Sequence, residues 1–439
     1  MTRYVLSVTR FLGTFFFILF AFNLAKMRTE IRVETAIGAE MEPTVLPDGD
    51  TTWPTCPSTS AFARIVLSPF YERDRTLFFW YRSPYLAVLW RSTDDGESWR
   101  LVVDIPGPWS RIDQVAIVPQ EIESSLTLYV KYWYHTVARD ENRVARSTDG
   151  GITWDERTAC DPNCIGVFAT ARLDTVFASR MEPYLITEPG RGILRSDDGG
   201  LTWQILWDQS DVWRVYVSPD FATDQLLFAA TGSSHELPPA WLIVSTDGGN
   251  TWTGRDAGLG NNPLGGLAFS SAFSHDQTIF VYIGGTIFQS QNTGRYWQSN
   301  FTLNNDSIVD IAVSPDFAED QTLFIMTQND LIVSYDSGVN WHILIHDPVL
   351  YQQIVIGRRP LALPRSMKQD QEQGITLDLP QSTLSAWQFY LPLVGTTGVR
   401  YRPLSLFLTQ TSFGGRTSYY NSDDGGLTWR CLHLPPIDD

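Results

Sequence analysis

The chain contains 439 residues, of which 43% are hydrophobic, 13% aromatic and only 18% charged, and its formal net charge is −17. So apolar and aromatic a composition excludes an intrinsically disordered chain. The acidic balance argues against nucleic acid as a partner, because a surface that binds phosphates must cluster Lys and Arg. The 16 Trp and 32 Gly favour many short strands joined by tight turns.

An apolar run opens the chain. Residues 11–25 carry no charged side chain, and this length suits the core of a signal peptide better than the roughly 20 residues of a membrane-spanning helix. We therefore predict that residues 1–26 form a signal peptide or an N-terminal membrane anchor, and either would place the rest of the chain outside the cytoplasm. Residues 27–60, which are rich in Pro, Thr and Ser, are predicted to be a flexible tether.

An eight-residue pattern, Ser-x-Asp-x-Gly-x-x-Trp, occurs seven times between Ser92 and Trp429. Consecutive copies are 44–55 residues apart, except for one step of 88, and such a period predicts stacked supersecondary units. Ser and Asp can bond nearby backbone N–H groups and Gly can adopt a positive φ, so each copy is interpreted as a hairpin turn rather than as a metal or acid–base site. The third position holds Asp94, Asp149, Asp198, Asp247, Asn292, Asp336 and Asp424.

A second motif precedes several of these turns. Ser-Pro-Asp-Phe occurs at 218–221 and 314–317, with weaker copies that start at Ser68 and Ser270. Together with the alternating apolar runs around it, this motif gives four strands in each repeat, which is typical of the antiparallel blade of a β-propeller. We predict an all-β fold with a single propeller over residues 61–433 and a short tail over 434–439.

The number of blades follows from the spacing of the first motif. Seven copies predict a seven-bladed propeller, with an insertion at about 345–385 that accounts for the step of 88 residues. Because 88 is twice 44, an eight-bladed ring stays open as an alternative. Its additional blade would include strands at 375–379 and 385–393.

Four cysteines in a chain that is predicted to be exported are expected to form disulfides. Cys56 precedes the first predicted strand and Cys431 lies on the last one, so a bridge between them would close the ring of blades. Cys160 and Cys164 would form a small local loop, because no further ligand near them supports a metal site. We predict no metal and no cofactor.

The repeated motif resembles the Asp-box, or bacterial neuraminidase repeat, of β-propeller proteins over about residues 61–433. The resemblance implies that these turns lie on outer hairpins, away from the central channel where ligands bind. Sialidases, xyloglucan-type glucanases, sortilin-like receptors and photosystem II assembly factors all carry such boxes. The resemblance therefore implies a fold and not a single function.

The enzyme families of this group lead us to expect features that the sequence lacks. Sialidases are six-bladed and carry Arg-Ile-Pro before the first box, where this chain has Arg64-Ile65-Val66. The glucanases resemble two propellers that face each other, and no pair of carboxylates identifies itself here. The architecture is most similar to the photosystem II assembly factors, whose Arg-rich patch has its nearest counterpart in Arg358, Arg359 and Arg365.

These comparisons of pattern lead us to expect a non-catalytic scaffold, with a carbohydrate-active hydrolase or a glycan-binding propeller as the alternative. A monomer, secreted or anchored at the cell envelope, would bind a protein or a glycan at the channel face. An aromatic segment at 129–135 is either a sugar platform or a strand packed between blades. No catalytic residue is assigned, and the candidate binding residues at the starts of the inner strands are Arg64, Gln114, Trp213, Arg214 and Asp310.

Overall fold

The fold is known from a computed structural model, which describes residues 44–45, 56, 63–81, 87–105, 110–118, 126–136, 139–157, 164–169, 174–180, 192–209, 211–232, 242–260, 262–303, 306–346, 350–358, 404–411, 416–426 and 428–435. Seven antiparallel sheets, each built from four strands consecutive in sequence, form the blades of a propeller. The prediction of an all-β, seven-bladed propeller is confirmed, and the eight-bladed alternative is wrong.

The strands of the first three blades follow the chain in order. Blade 1 contains β2 (Ala63–Leu67), β3 (Leu77–Tyr81), β4 (Val88–Ser92) and β5 (Arg100–Asp104). Blade 2 contains β6 (Arg111–Val118), β7 (Thr127–Thr136), β8 (Arg139–Ser147) and β9 (Asp155–Arg157). Blade 3 contains β10 (Cys164–Ala169), β11 (Val176–Arg180), β12 (Gly192–Ser196) and β13 (Gln204–Trp207).

The remaining blades repeat this order. Blade 4 contains β14 (Val212–Val217), β15 (Leu227–Thr231), β16 (Leu242–Ser245) and β17 (Thr253–Gly254). Blade 5 contains β18 (Gly266–Phe269), β19 (Ile279–Ile283), β20 (Thr286–Ser290) and β21 (Gln298–Thr302). Blade 6 contains β22 (Ile308–Val313), β23 (Leu323–Thr327), β24 (Asp330–Ser334) and β25 (His342–His346), and blade 7 contains β26 (Leu350–Arg358), β27 (Leu404–Thr411), β28 (Thr417–Ser422) and β29 (Arg430–Cys431).

The hydrophobic core lies between blades rather than inside any one of them. Every residue of β3, β11, β15, β19 and β23, the second strands of five blades, is buried. Each apolar cluster joins two neighbours: Phe228 of blade 4, for example, packs in one cluster with Val281 of blade 5. A single four-stranded sheet exposes two apolar faces, so each blade depends on the next for burial.

The first strands of most neighbouring blades contact one another around the central channel, as β22 does with β26 and β6 with β10. Within each blade, the first and third strands run in the same direction, because consecutive strands are antiparallel. The turns that follow these two strands therefore share one face. We call each copy of the first motif a box and this face the box face, because the boxes lie in the turns after the third strands. The hairpins between second and third strands, and the connections between blades, share the opposite face, which we call the upper face.

The second sequence motif forms a one-turn helix on the box face rather than the predicted loop. The four helices are α1 (Tyr71–Asp74), α2 (Phe221–Asp224), α3 (Phe273–Asp276) and α4 (Phe317–Asp320). In α2 the Ser218 hydroxyl donates to Asp224 at 2.6 Å, and the same carboxylate accepts the N–H of Leu226 at 2.9 Å. These bonds close the turn around the buried ring of Phe221.

The first motif forms the turn between the third and fourth strands of each blade. In blade 3 the Ser196 hydroxyl donates to Asp198 at 2.7 Å and accepts the N–H of Gly200, whose φ is 90°. Asp198 also accepts the N–H of Thr202 at 2.9 Å. Asn292 makes the corresponding contacts in blade 5, where its side-chain oxygen accepts from the Ser290 hydroxyl and from the N–H of Tyr296.

Side-chain hydrogen bonds link the boxes of successive blades. The residue immediately before the Ser of a box donates a hydrogen bond to an oxygen atom in the box of the next blade. These bonds run from Arg91 to the carbonyl of Gly150 at 2.9 Å, from Arg195 to the carbonyl of Gly248 at 2.9 Å, and from Gln289 to the hydroxyl of Ser337 at 3.1 Å. At the end of the ring, Arg430 of blade 7 bonds Asp95 of blade 1 at 3.0 Å.

Ring closure between blades 7 and 1 uses no shared strand within the described part of the chain. Gln353 of blade 7 instead pairs with the backbone of Ile65, accepting its N–H at 3.1 Å and donating to its carbonyl at 2.9 Å. A disulfide joins Cys56 to Cys431. Cys164 is also disulfide-bonded, and Cys160, its expected partner, lies outside the described residues.

Two predicted boundaries need correction. The insertion predicted at about 345–385 begins too early, because the apolar residues Ile354 and Ile356 make Leu350–Arg358 the first strand of blade 7. Within the predicted tether, Thr44–Val45 (β1) pairs in parallel with β25 as a fifth strand of blade 6. No helix of the described ranges is long and apolar enough to cross a membrane, and the signal peptide or anchor predicted at 1–26 lies outside those ranges.

The ring-closing disulfide predicts a loss of stability when it is removed. Replacing Cys56 and Cys431 by Ser should lower the free energy of unfolding by up to about 5 kcal/mol, because the bridge closes a very long loop in the unfolded chain. Denaturant unfolding of the purified protein measures this difference. Each single Ser variant should lose as much as the double variant, and an unchanged unfolding midpoint would contradict a role of the bridge in closure.

The box turns predict acid sensitivity. The hydroxyl and N–H of Thr202 lower the pKa of Asp198 to about 2, and the pKa of Asp149 and of Asp247 is likewise about 2, although desolvation opposes the same kind of bonds there. Native carboxylates with lowered pKa values stabilise the fold above the unfolded pKa, so stability should fall as the pH drops from about 4 to about 2. Melting temperatures across this range measure the effect.

A triple variant with Asn at 149, 198 and 247 should show a flatter pH dependence, because Asn keeps the acceptor, as Asn292 shows, and does not titrate. The variant Asp208→Asn, at an exposed carboxylate outside the boxes, is the control. A triple variant with the same acid sensitivity as the unaltered protein would refute this account.

Candidate functional site

The innermost strands are irregular at their upper ends. In five blades the register between first and second strands shifts by one residue, which marks a β-bulge. Bulges bend a strand and re-aim the side chains next to them. The extra residues are Asp113, Ile165, Trp213, Val309 and Gln352.

One ring of equivalent positions follows these bulges around the channel. Each member lies three residues before the first-strand residue whose partner on the second strand pairs with the box Ser. Arg214, for example, lies three residues before Val217, which pairs with Leu227, and Leu227 pairs with Ser245. We call these seven residues the polar ring, since five of them have polar or charged side chains. They are Arg64, Gln114, Gly166, Arg214, Gly266, Asp310 and Gln353.

Asp310 is the carboxylate of the polar ring. It is partly accessible and accepts the N–H groups of Ile311 at 3.0 Å and of Ile354, in blade 7, at 3.4 Å. Burial raises the pKa of Asp310 above its ordinary value, while these N–H groups and the charges of Arg214 and Arg64 offset part of the rise. A carboxyl group with a raised pKa in a channel mouth is suited to donate a proton.

Arg214 lies across the same mouth. Its guanidinium carbon is 5.3 Å from the centre of the Tyr216 ring, and the residue itself is exposed. Charges of Arg214, Arg64 and Asp310 all act on the hydroxyl of Tyr282, whose pKa is raised mainly by burial. Two arginines, one carboxyl group and one phenol therefore share a single electrostatic environment.

Tyr282, on the second strand of blade 5, forms part of the wall of the mouth. A Cβ atom added at Gly265 would come within 2.2 Å of the Tyr282 ring, and one added at Gly266 within 2.6 Å. Only glycine allows the ring to lie this close to the backbone. The Tyr282 hydroxyl donates to the carbonyl of Val309 at 2.7 Å, which fixes the ring between blades 5 and 6.

Below the polar ring, the channel is apolar. A cavity of about 380 Å³ is lined by residues of blades 1, 2, 4 and 5. It extends from Gln114 and Arg214 down to Leu67, Ile117, Val217 and Phe269, which occupy equivalent positions at the lower ends of the first strands. Of the side chains that line this cavity, the guanidinium of Arg214 and the amide of Gln114 lie at its upper end.

Trp213 stands at the rim, one residue above Arg214. Its side chain is 55% exposed, although Trp is among the residues that gain most from burial. A Cβ atom at Gly232 would lie 2.7 Å from Nε1 of Trp213, so the absence of a side chain at 232 leaves room for the indole. The bulge at Trp213 directs this ring to the upper face.

The structure places the five candidate residues of the sequence analysis at one mouth. Arg64, Gln114, Arg214 and Asp310 belong to the polar ring, and Trp213 lies at its rim. Sequence reasoning missed Gln353, because its strand had been assigned to an insertion. It also missed Tyr282, although the pair of glycines at 265–266 signals a backbone that a neighbouring group approaches closely.

Asp113 occupies the same bulge position as Trp213, but its side chain is bonded within blade 2. Arg111 donates to one of its oxygens at 2.8 Å and the buried Lys131 to the other. With both oxygens bonded, Asp113 anchors the long second strand of blade 2. In the aromatic segment at 129–135, Tyr132 packs in one cluster with residues of blade 1 and Tyr129 in another with residues of blade 3, so this segment packs between blades.

The box carboxylates take no part in this mouth. They lie on the opposite face, and each is bonded within its own turn, as described for Asp198. Within the described ranges, no three His, Cys, Asp or Glu side chains come together as metal ligands. The chemistry that this site offers is therefore that of Asp310, the two arginines, the phenols and the exposed indole.

Comparison with known proteins finds glycoside hydrolases. A xyloglucanase from Paenibacillus sp is 28% identical over 217 residues, which are 45% of this chain and 21% of that protein. The GH74 enzyme of Niastella koreensis has the same fold with a TM-score of 0.50, at 15% identity over 65% of this chain and 45% of that enzyme. No family model matches the chain.

The xyloglucanase overturns two expectations from the sequence. A non-catalytic scaffold and a chain that is not an enzyme were favoured because no carboxylate pair stood out and the architecture resembled that of assembly factors. The relative found by sequence is a glycosidase, so the carbohydrate-active alternative is the better one. This chain spans only about a fifth of that relative's length.

The geometry of the mouth predicts how Asp310 responds to its neighbours. Replacing Arg214 by Met removes a positive charge that favours the carboxylate, so the pKa of Asp310 should rise further. NMR titration of selectively labelled Asp carboxyl carbons measures it. Arg295→Met, at an exposed site in the box of blade 5, should leave that pKa unchanged. An unchanged value in Arg214→Met would show that the two groups are not coupled.

Proposed function

We propose that this protein is a glycoside hydrolase that acts on a xyloglucan-type glucan at the upper mouth of its channel. The observation that carries the proposal is Asp310, a carboxyl group with a raised pKa that is partly accessible in a mouth shared with two arginines and two tyrosines. The similarity to a xyloglucanase gives the substrate class. Raised carboxyl pKa values are what glycosidases use to keep a general acid protonated.

In the proposed reaction, protonated Asp310 donates its proton to the glycosidic oxygen as the bond to the anomeric carbon breaks. The leaving sugar departs as an alcohol, and a water molecule supplies the hydroxyl group of the other product and gives its remaining proton to a carboxylate of the site. Arg214 and Arg64 hold the carboxylate that remains, which lowers the barrier to proton transfer. The two arginines must not stabilise the carboxylate too strongly. A stronger ion pair would lower the pKa of Asp310 and leave it without its proton.

Glycoside hydrolysis uses a second carboxylate, which activates the water or attacks the sugar directly. Asp211 and Asp306 lie in the loops that precede the first strands of blades 4 and 6, and both are partly accessible at the upper face. We assign the second role to one of these two residues. Asp113 is less suited to it, because Arg111 and Lys131 engage both of its oxygens.

We further propose that the chain is an Asp-box propeller in the family sense and that it works outside the cytoplasm. The bonding of its seven box turns supports the first statement. The disulfide between Cys56 and Cys431 supports the second, since such bonds persist in oxidising compartments. A glucan polymer would be met in the same compartment.

Hydrolysis of xyloglucan by the full chain, with mixed-linkage β-glucan and arabinan for comparison, tests the proposal. Asp310→Asn should lower kcat by about a hundredfold or more with little change in KM, because the variant lacks only the proton donor. In the unaltered enzyme kcat/KM should fall as the pH rises through the raised pKa of Asp310, since the acid must be protonated. Arg214→Met should move this decline to higher pH.

Asp208→Asn, at an exposed carboxylate at the end of blade 3, is the matched control and should keep full activity. Asn variants at 211 and 306 identify the second carboxylate by a comparable loss in one of them. Full activity in both would refute that assignment. Absence of turnover on every glycan, or an Asp310→Asn variant as active as its parent, would refute the proposed hydrolase.

A further inference from the structure

One pair of residues next to each box joins the third and fourth strands of the blade. Its first member immediately precedes the Ser of the box, and its second member immediately follows the box Trp. Blade 2 pairs Arg146 with Asp155, blade 3 pairs Arg195 with Gln204, and blade 7 pairs Asn421 with Arg430. In none of blades 2 to 7 do the two members carry like charges.

Blade 1 is the exception, because its pair consists of Arg91 and Arg100. Like charges directly opposite each other on adjacent strands destabilise a sheet. Burial lowers the pKa of Arg91 and the charge of Arg100 lowers it as well, although Asp74 and Asp149 oppose this effect. Both of these carboxylates are bonded within their own turns. In the part of the chain that the structure describes, neither arginine of the pair has a carboxylate within ion-pair distance.

The equivalent arginines of the next two blades are neutralised. Arg146 forms an ion pair with Asp174 at 2.6 Å, and Arg195 forms one with Asp197 at 2.8 Å. Asp197 is the second residue of its box, and the box of blade 1 has Thr93 at that position. Blade 1 therefore has an additional cation and lacks the carboxylate that would balance it. In a chain whose net charge is −17, a missing local carboxylate indicates that a ligand supplies the negative charge.

A pocket of about 250 Å³ lies beside this pair, between the boxes of blades 1 and 2. The guanidinium of Arg91 donates to the carbonyl of Gly150 at 2.9 Å, which holds it at the pocket. Besides the two arginines, the pocket is lined by Thr93, Ser98, Trp99, Val102, Gly150 and Ile152.

This lining suits a small organic anion. Guanidinium groups are planar and present parallel N–H donors that match the two oxygens of a carboxylate. The hydroxyl groups of Thr93 and Ser98 can exchange hydrogen bonds with hydroxyl groups of a ligand. Trp99 and Ile152, which is 59% exposed, offer apolar surface to the C–H bonds of a ring. A hexuronic acid carries a carboxylate, hydroxyl groups and such C–H bonds in one unit, whereas an inorganic anion would leave the apolar walls without a contact.

We infer that the pocket between the boxes of blades 1 and 2 binds an acidic sugar, whose carboxylate bridges Arg91 and Arg100. The bound carboxylate relieves the repulsion between the two arginines that the free protein tolerates. The boxes lie on the face opposite the mouth that contains Asp310, so this site is separate from the proposed site of hydrolysis and does not depend on it.

Isothermal titration of the full chain at low ionic strength tests the site with methyl β-glucuronide. Methyl β-glucoside is the neutral counterpart of this probe, and sulfate is the inorganic anion; both should bind at least about tenfold more weakly than the glucuronide. Arg100→Gln gives blade 1 the same pair as blade 3, and it should weaken glucuronide binding by about tenfold to a hundredfold. Without ligand, this variant should melt at a higher temperature than the unaltered protein, because the like-charged pair is gone.

Arg100→Asp gives blade 1 the same pair as blade 2 and should abolish glucuronide binding. The matched control is Arg295→Gln, at an exposed arginine in the box of blade 5, which should keep the affinity and the melting temperature of its parent. No binding of the glucuronide, equal binding of the glucoside or of sulfate, or an unchanged affinity in Arg100→Gln would each overturn the inference. Hydrolysis of xyloglucan should be the same in Arg100→Gln as in the unaltered protein, so a failure of this site and a failure of the proposed hydrolase are distinguishable.

Discussion

Closing the ring is the constraint on which the rest of this structure depends. Seven sheets bury their faces only against each other, and the first and last blades meet without exchanging a strand in the described chain. Gln353 supplies part of that closure through two bonds to the backbone of Ile65. The disulfide between Cys56 and Cys431 adds a covalent link at the same junction.

The closure and the candidate site are made of the same parts. Gln353 belongs to the polar ring, Asp310 of blade 6 accepts the N–H of Ile354 in blade 7, and Arg64 of blade 1 contributes to the field at Asp310. The environment of this carboxyl group therefore spans the junction where the ring closes. A change in the packing of that junction would therefore change the pKa of Asp310 as well as the stability of the fold.

Chemistry in this molecule is found where the repeat is broken. The box turns and the second strands vary little from blade to blade, and they supply stability. The positions of the polar ring are equivalent in geometry but hold different residues, such as Asp310, Arg214 and Gly266. One scaffold position thus carries a carboxyl group, a cation or no side chain, according to the blade.

Much of the architecture could be predicted from the sequence, because turn chemistry is local. The spacing of Ser, Asp, Gly and Trp predicted a propeller and favoured seven blades over eight, and the closed ring placed Cys56 and Cys431 at the junction. The bulges could not be predicted, since a shift of one residue in register leaves no mark on an alternating apolar strand. For the same reason Trp213 and Arg214 were recognised as neighbours of the channel, but not as occupants of two different levels.

The function was harder to predict, because charge and pattern describe the whole chain while a site depends on a few groups. A net charge of −17 gave no hint of two arginines that act on one carboxyl group. No pair of carboxylates was found in the sequence, because the charged groups that act on Asp310 are arginines of other blades. The pKa of Asp310 depends on groups from blades 1, 4, 6 and 7, an arrangement that no linear motif encodes.

The bonds between successive boxes have a direction, and this direction bears on how the protein is made. Arg91, Arg195 and Gln289 each reach towards the C-terminus, to a turn that the ribosome completes one blade later. A growing chain can therefore secure each new blade as it emerges. Asp95 in the first box is the exception, because its partner Arg430 is synthesised 335 residues later, so the first box has to wait for the seventh blade before this bond can form.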